Sequence, residues 1–247
     1  MPESPIEAAD VWKGFNGRDV LRGISFTVAK GETFVIMGGS GSGKTVCLRV
    51  LAGLLRPDRG RIRVFGTSIE RLSEEELLPI RRRLGYVFQG AALFDSLTVH
   101  ENVAYPLREH TDLAEGQIAR RVEHCLSLVG LDPDVKTKLP GELSGGMRKR
   151  VGIARALAAE PEVMLFDEPT AGLDPTNSKI VAELIGQLAT GTCDTSLVVT
   201  HDVELANAVA DRIAVLVDGR FAAIGTPDEL RKSTDPAVVA FFSGEAR

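Results

Sequence analysis

Nowhere in its 247 residues does the chain hold an uninterrupted apolar run near the roughly 18 residues that a membrane helix needs. The longest candidates, Val163–Phe166 and Val238–Phe242, have the length of a strand or a core helix. Any membrane role is therefore expected to pass through a partner. A signal peptide is missing as well, because the opening MPESPIEAAD is acidic and has no apolar centre. The chain is expected to stay inside the cell. Only three cysteines occur, Cys47, Cys125 and Cys193, and none stands at metal-ligand spacing. They suit a reduced cytosolic protein in which they serve as small buried hydrophobes. No basic excess is present either. The net charge of -5 argues against a nucleic-acid binder that works through a broad positive field, although a local basic patch is compatible with it. Internal repeats and low-complexity linkers are absent, and 44% hydrophobic composition is enough for one or two globular domains.

Against this background one stretch stands out. Thr33–Leu51, TFVIMGGSGSGKTVCLRVL, places Gly38, Gly39, Ser40, Gly41, Ser42, Gly43, Lys44 and Thr45 between an apolar run (Phe34–Met37) and a helical pattern that starts at Val46. That is the strand–loop–helix setting of a P-loop. Its glycines let backbone N–H groups turn inward around a di- or triphosphate, and the helix N-terminus adds a positive dipole end. Lys44 reaches the outer phosphates and Thr45 offers a hydroxyl to Mg²⁺. A dinucleotide fingerprint fits poorly, since Val46 stands where its third glycine should be.

Before this loop, Ile6–Val28 reads as short strands interrupted by a turn at Lys13-Gly14-Phe15-Asn16-Gly17. Phe15 either packs on the nearest core or stacks on a nucleobase. Beyond the loop, Ser73 and Glu76 form a capping box at a helix start. Leu84–Phe88 is a short buried strand that ends at Gln89. Gly90–His110 mixes apolar and polar residues at no clean period, whereas Ala114–Val129 keeps Ile118, Val122, Cys125, Leu126 and Val129 on one helical face. The middle third is expected to be mostly helical, up to Pro140-Gly141-Glu142.

Ser144, Gly145 and Gly146 then open another helix. Paired glycines leave backbone N–H groups bare at a dipole end, so this is a second candidate anion site. Arg148, Lys149 and Arg150 add positive charge there, and their simpler reading is a solvated face. Next, an apolar strand delivers Asp167 and Glu168 side by side, an arrangement that is costly unless a cation or a proton-transfer task awaits them. Asp174 precedes a helix over about 176–188, and a third apolar strand ends at His201. The P-loop, the carboxylate pair and His201 each follow a buried strand, and in an open parallel α/β sheet such strand ends line one crevice. His100, His110 and His124 have no such context. Strand-like segments over 213–217 and 221–224, helical pieces from Pro227 and Pro236, and a polar frayed end over Ser243–Arg247 complete the chain.

Taken together, these motifs resemble, over nearly the whole chain, the ATP-binding subunit of an ABC transporter. In that family's terms GGSGSGKT is Walker A, Gln89 the Q-loop, LSGGM the signature, VMLFD with Glu168 the Walker B strand, Ala171–Asp174 the D-loop and His201 the switch histidine. The resemblance implies a P-loop NTPase (RecA-like) α/β core, about 1–88 and 160–247, with an antiparallel β subdomain and an inserted α-helical subdomain, about 89–159, all in one ABC ATPase domain over 1–247. It implies ATP and Mg²⁺. The Walker A residues with Val46, Gln89, Ser144, Gly145, Gly146 and Asp174 would contact nucleotide, and Phe15 would stack on adenine. Thr45, Gln89 and Asp167 would serve the metal, and Lys44, Glu168 and His201 catalysis. A second copy would pair head to tail, so that the signature serves the partner's nucleotide.

Two departures from the family pattern are Met147 in place of the usual Gln and Val46 in place of a second small hydroxyl residue. With FQGAALFDSLTVHENVAYPLREH and GGMRKRVGIARALA, the Met variant resembles the ATPases of MCE-associated, Mla-type lipid transporters. That implies an integral permease docked over 89–110, MCE lipid-binding proteins, an accessory cytoplasmic subunit, a place on the cytoplasmic face of the inner membrane, and no nucleic acid. ATPases for other solutes share these motifs. Soluble ABC ATPases acting on DNA or ribosomes carry coiled-coil inserts, zinc modules or paired units that are not seen here, and intact Lys44, Glu168 and His201 argue against a subunit without turnover.

Overall fold

A computed structural model of the chain describes residues 4–242, so the frayed end expected over Ser243–Arg247 lies outside the described residues. Two long antiparallel strands come first, β1 (Ile6–Phe15) and β2 (Arg18–Val28). The turn between them is shorter than the sequence suggested. Only Asn16 and Gly17 take left-handed backbone, with φ of 51° and 78°, and Phe15 still belongs to the strand.

β3 (Thr33–Met37) leads through the glycine-rich loop into α1 (Lys44–Leu51). After β4 (Arg59–Val64) and β5 (Thr67–Ser68), α2 (Glu74–Arg81) starts on the Ser73/Glu76 capping box, as expected. β6 (Leu84–Val87) precedes the helical middle third, α3 (Val99–His110), α4 (Glu115–Leu128) and α5 (Gly145–Ala158). The remainder alternates: β7 (Val163–Asp167), α6 (Pro175–Gly191), β8 (Ser196–Thr200), α7 (Val203–Val209), β9 (Arg212–Val217) and β10 (Arg220–Gly225), then α8 (Pro227–Arg231) and α9 (Pro236–Phe242).

Among the described residues the strands form two sheets. The larger has the order β10-β9-β3-β8-β7-β6, with every pairing parallel except β9 with β10. The smaller, β2-β1-β4-β5, is antiparallel. All five residues of β3, of β7 and of β8 are buried. Alternate side chains therefore enter two different cores. Phe34 and Ile36 pack with α1 and the antiparallel sheet, while Val35 and Met37 pack with Met164, Phe166, Val198 and the helices of the opposite face.

The missing period over 94–98 has a definite cause. Asn102 on α3 is fully buried, and its side chain accepts from Phe94 N–H (2.9 Å) and donates to the carbonyls of Phe94, Leu97 and Thr98 (3.0–3.1 Å). A single amide organises residues 94–98 in place of an apolar stripe.

All three cysteines are buried thiols, and loss of solvation pushes Cys47 up to about 12 and Cys125 and Cys193 up to about 11. Titration with Ellman's reagent at pH 8 is expected to leave all three unreacted within minutes in the native chain and to count all three in guanidinium. A fast-reacting thiol in the native chain would contradict this packing.

Candidate functional site

β3, β8 and β7 are neighbours, and their register sets Met37 beside Thr200 and Asp167 beside Val199. Their C-terminal ends consequently deliver the 38–43 loop, His201 and the Asp167-Glu168 pair to one edge of the sheet, as the crevice rule requires. The loop is tight. A Cβ at Gly38 would lie 2.6 Å from the carbonyl oxygen of Leu216, and Gly43 has a φ of 106° that disfavours any side chain. Gly43 also caps α1 without a side-chain acceptor, so the first-turn N–H groups point into the loop unsatisfied by a cap. Ser42 Oγ is buried there with no hydrogen-bond partner. A cradle of this kind fits a phosphate chain.

Two adjacent residues of α1 meet two adjacent residues at the end of β7. Lys44, 5% exposed, places Nζ 3.1 Å from Glu168 Oε1 and donates to the carbonyls of Gly38 (2.8 Å) and Gly39 (3.0 Å). Thr45 Oγ1 donates to Asp167 Oδ1 at 2.8 Å. On the other side of that carboxylate, Tyr86 donates its hydroxyl to Asp167 Oδ2 at 3.2 Å. Burial, reinforced by the charge of Asp167, raises the Tyr86 pKa far above its ordinary value, so the phenol remains a donor.

Glu168, 6% exposed, is held by more than its side chain. Oε2 lies 2.8 Å from His201 Nδ1 and accepts the His201 backbone N–H at 3.3 Å. The Glu168 N–H donates to Val199 O at 2.9 Å. Its φ of 48° is left-handed, a conformation that costs a non-glycine residue on the order of 1–3 kcal/mol and persists only where surroundings impose it.

Around these groups lies a cleft of about 580 Å³ lined by Gly39, Ser40, Gly41, Gly43, Lys44, Thr45, Val46, Gln89, Glu168 and His201, with Val20 and Phe241 completing its wall. Among the described residues no three His, Cys, Asp or Glu side chains cluster as a metal cage. Thr45 and Asp167 nonetheless offer two hard oxygens side by side. Such a pair suits Mg²⁺, which takes one or two protein oxygens and completes its shell with phosphate and water.

Other expected residues lie elsewhere. Phe15 ends β1, 44% exposed, with the Lys13 ammonium 5.4 Å from its ring centre, and does not line the cleft. Ser144 caps α5 by accepting from Met147 N–H (3.2 Å) and Asp174 caps α6 by accepting from Asn177 N–H (3.0 Å). The Asn177 side-chain amide, which donates to Asp174 Oδ2 (2.5 Å), and then the Asn177 N–H hold the Asp174 carboxyl below its usual pKa. The two caps touch each other, because Gly146 packs so closely on Asn177 that a Cβ would overlap it. Ser144, Gly145, Gly146 and Asp174 therefore form a second surface, outside their own chain's P-loop cleft.

The solvated face expected for Arg148–Arg150 holds for the exposed Arg148 and is corrected for Lys149. Lys149 is 6% exposed and donates to the carbonyl oxygens of Gln89 and, at 3.2 Å, of Glu168. Arg150 donates to Gly130 O (2.7 Å) and Arg148 to Leu143 O (2.5 Å). Helical spacing does contain the signal, since Lys149 follows the buried Gly146 by three residues and precedes the buried Ile153 by four. Tyr86 and Phe241, also unanticipated, carried no local signal.

Comparison with known proteins agrees with this geometry. The ABC transporter family profile matches residues 21–171. The probable ribonucleotide transport ATP-binding protein mkl of Mycobacterium tuberculosis is 42% identical over 239 residues, which are 97% of this chain and 66% of that protein. MlaF of Haemophilus influenzae, the ATP-binding protein of an intermembrane phospholipid transport system, is 39% identical over 246 residues, 100% of this chain and 93% of that protein. Among solved structures, the dimeric ATP-binding cassette MJ0796 in a post-hydrolysis state bound to ADP and Pi superposes with a TM-score of 0.84 at 32% identity, covering 90% of this chain and 98% of that one.

Gly38→Ala is expected to weaken binding of a fluorescent ATP analogue by roughly thirtyfold, equivalent to about 2 kcal/mol, without unfolding the chain. Affinity equal to the wild type would show that the loop can open around the new methyl group.

Proposed function

The chain belongs to the ABC transporter family as an ATP-binding, ATP-hydrolysing subunit, and from that premise we propose that it powers movement of phospholipid or a related lipid through a partner permease. The observation that carries the lipid reading is the likeness to MlaF, the ATP-binding protein of an intermembrane phospholipid transport system, at 39% identity over the whole of this chain, while about a third of mkl lies outside the matched region. No helix among the described residues is long and apolar enough to cross a membrane, which fits a peripheral subunit on the cytoplasmic face of the inner membrane. MCE-type lipid-binding proteins and an accessory cytoplasmic subunit complete the proposed assembly, with no nucleic acid.

In this reading the loop N–H groups and Lys44 bind and orient the β- and γ-phosphates. Thr45 and Asp167, with Gln89, would hold Mg²⁺, which would supply neutralisation of the charge that develops on the phosphates. Glu168 orients the attacking water and accepts its proton, and its place beside the cleft is set by Val199, His201 and Lys44. His201, whose side chain is 62% exposed, reaches the γ-phosphate from the cleft rim. Phe15 stacks on adenine from the end of β1. Because Ser144, Gly145, Gly146 and Asp174 lie outside their own cleft, they are assigned to the nucleotide of a second copy, paired head to tail.

The permease site is placed on an apolar groove of about 460 Å³ lined by Leu78, Phe88, Phe94, Tyr105, Pro106 and Arg155. Leu78, Phe94 and Tyr105 are 42–45% exposed there, and exposed aromatics in a concave patch suit an inserted helix.

Glu168→Gln is expected to bind ATP within about threefold of wild type while phosphate release falls at least a hundredfold. Unchanged turnover would remove Glu168 as the base. For the cargo, the tagged chain purified from its own cells in mild detergent is expected to bring down an integral permease, MCE-type proteins and phospholipid, and Phe94→Asp to lose all three while remaining folded. A permease recovered without lipid would favour the ribonucleotide cargo named for mkl, and a nucleic-acid complex would overturn the transporter reading.

A further inference from the structure

α5 does more than present the signature at its N-terminus. Three of its residues grip the segment that follows Gln89. Arg155 donates through Nη1 to Ala92 O and through Nη2 to Ala91 O, both at 2.8 Å. Gly152 lies so close that an added Cβ would sit 3.2 Å from the Cβ of Ala91. Lys149 donates to Gln89 O. The gripped segment is strained, since Ala91 and Ala92 are consecutive non-glycine residues with φ of 62° and 47°. Such backbone relaxes unless its surroundings hold it.

Lys149 alone also reaches the other way. Its Nζ donates to the carbonyl of Glu168, another non-glycine residue in left-handed backbone. An ammonium carries three donors on a compact centre and can serve carbonyls on two sides. Burial works against its charge, and the nearby carboxylates of Glu168 and Asp167 sustain it.

We infer that Lys149 is a positioning residue for hydrolysis, whose ammonium ties the Gln89 loop to the backbone of Glu168, so that the carboxylate holds its working position only while that loop is seated on α5. Displacement of the loop then moves Glu168 through one shared donor. The inference rests on the role proposed for Glu168 and goes beyond it by naming what links that residue to the helical segment.

The test uses the full chain as wild type, Lys149→Met, Lys149→Arg and Glu168→Gln, with phosphate release measured across ATP concentration, binding of a fluorescent ATP analogue, and thermal unfolding. Lys149→Met keeps the length and loses the donors. It is expected to lower kcat about tenfold or more with ATP affinity within about threefold of wild type, because misplacement of the base damages the transition state more than the ground state. Lys149→Arg, which keeps charge and donors, is expected to restore at least about a third of wild-type kcat. Turnover of Lys149→Met close to wild type overturns the inference, and so does a parallel fall of kcat and affinity, the mark of a merely structural residue. If the Met variant does not fold, the Arg variant decides: recovery supports the role and a folded chain without recovery removes it. Glu168→Gln separates the two layers. Retained turnover there overturns the reading of Glu168 and this inference with it, whereas its loss alongside an unaffected Lys149→Met overturns Lys149 alone.

Discussion

A parallel strand buried on both faces has no free side on which to carry chemistry, so polar residues are pushed to its ends. β3, β7 and β8 show the force of this constraint. Every one of their residues is buried, and the groups proposed to act on nucleotide, Lys44, Asp167, Glu168 and His201, all come at or just after their C-terminal ends. Two hydrophobic cores, one on each face, keep these strands in register. Positions of the polar groups are thus inherited from apolar packing several residues away. Burying Lys44 and two carboxylates in such a place is tolerable because each has a charged or hydrogen-bonding partner at about 3 Å.

Much of this was legible in the chain. Continuous apolar runs ending in Gly38, Asp167 and Thr200 announced strands covered on both sides, and the glycine pattern announced the loop between β3 and α1. Caps were legible because they depend on residues three apart, as at Ser73 with Glu76 and at Ser144 with Met147. What escaped were features whose partners lie far along the chain. The 94–98 segment hangs on one buried amide, Asn102, which leaves no periodic trace. Lys149 looked like part of a charged surface because its acceptors, two backbone carbonyls, lie 60 and 19 residues away and carry no compositional signature. Tyr86 was read only as part of an apolar strand, although its hydroxyl completes the shell of Asp167.

The division of the candidate residues between two surfaces is equally physical. The Ser144 and Asp174 caps sit at the N-termini of α5 and α6 and lean on each other through Gly146 and Asn177. None of these residues lines the cleft around the P-loop of the same chain. Under the proposed function one chain holds both halves of a nucleotide enclosure without bringing them together, and the similar cassette MJ0796 is dimeric.

The pairing of Lys44 with Glu168 and of Thr45 with Asp167 joins neighbouring positions on a helix to neighbouring positions at a strand end. Side chains on a strand change face with every residue. One residue added to or removed from 163–168 would exchange the two carboxylates, and the same change in 38–45 would turn the lysine and threonine out of line. Chain length in these two segments is consequently as constrained as residue identity. Connections such as 54–58 and 111–114 lie outside this register, and a change of length there leaves both pairings in place.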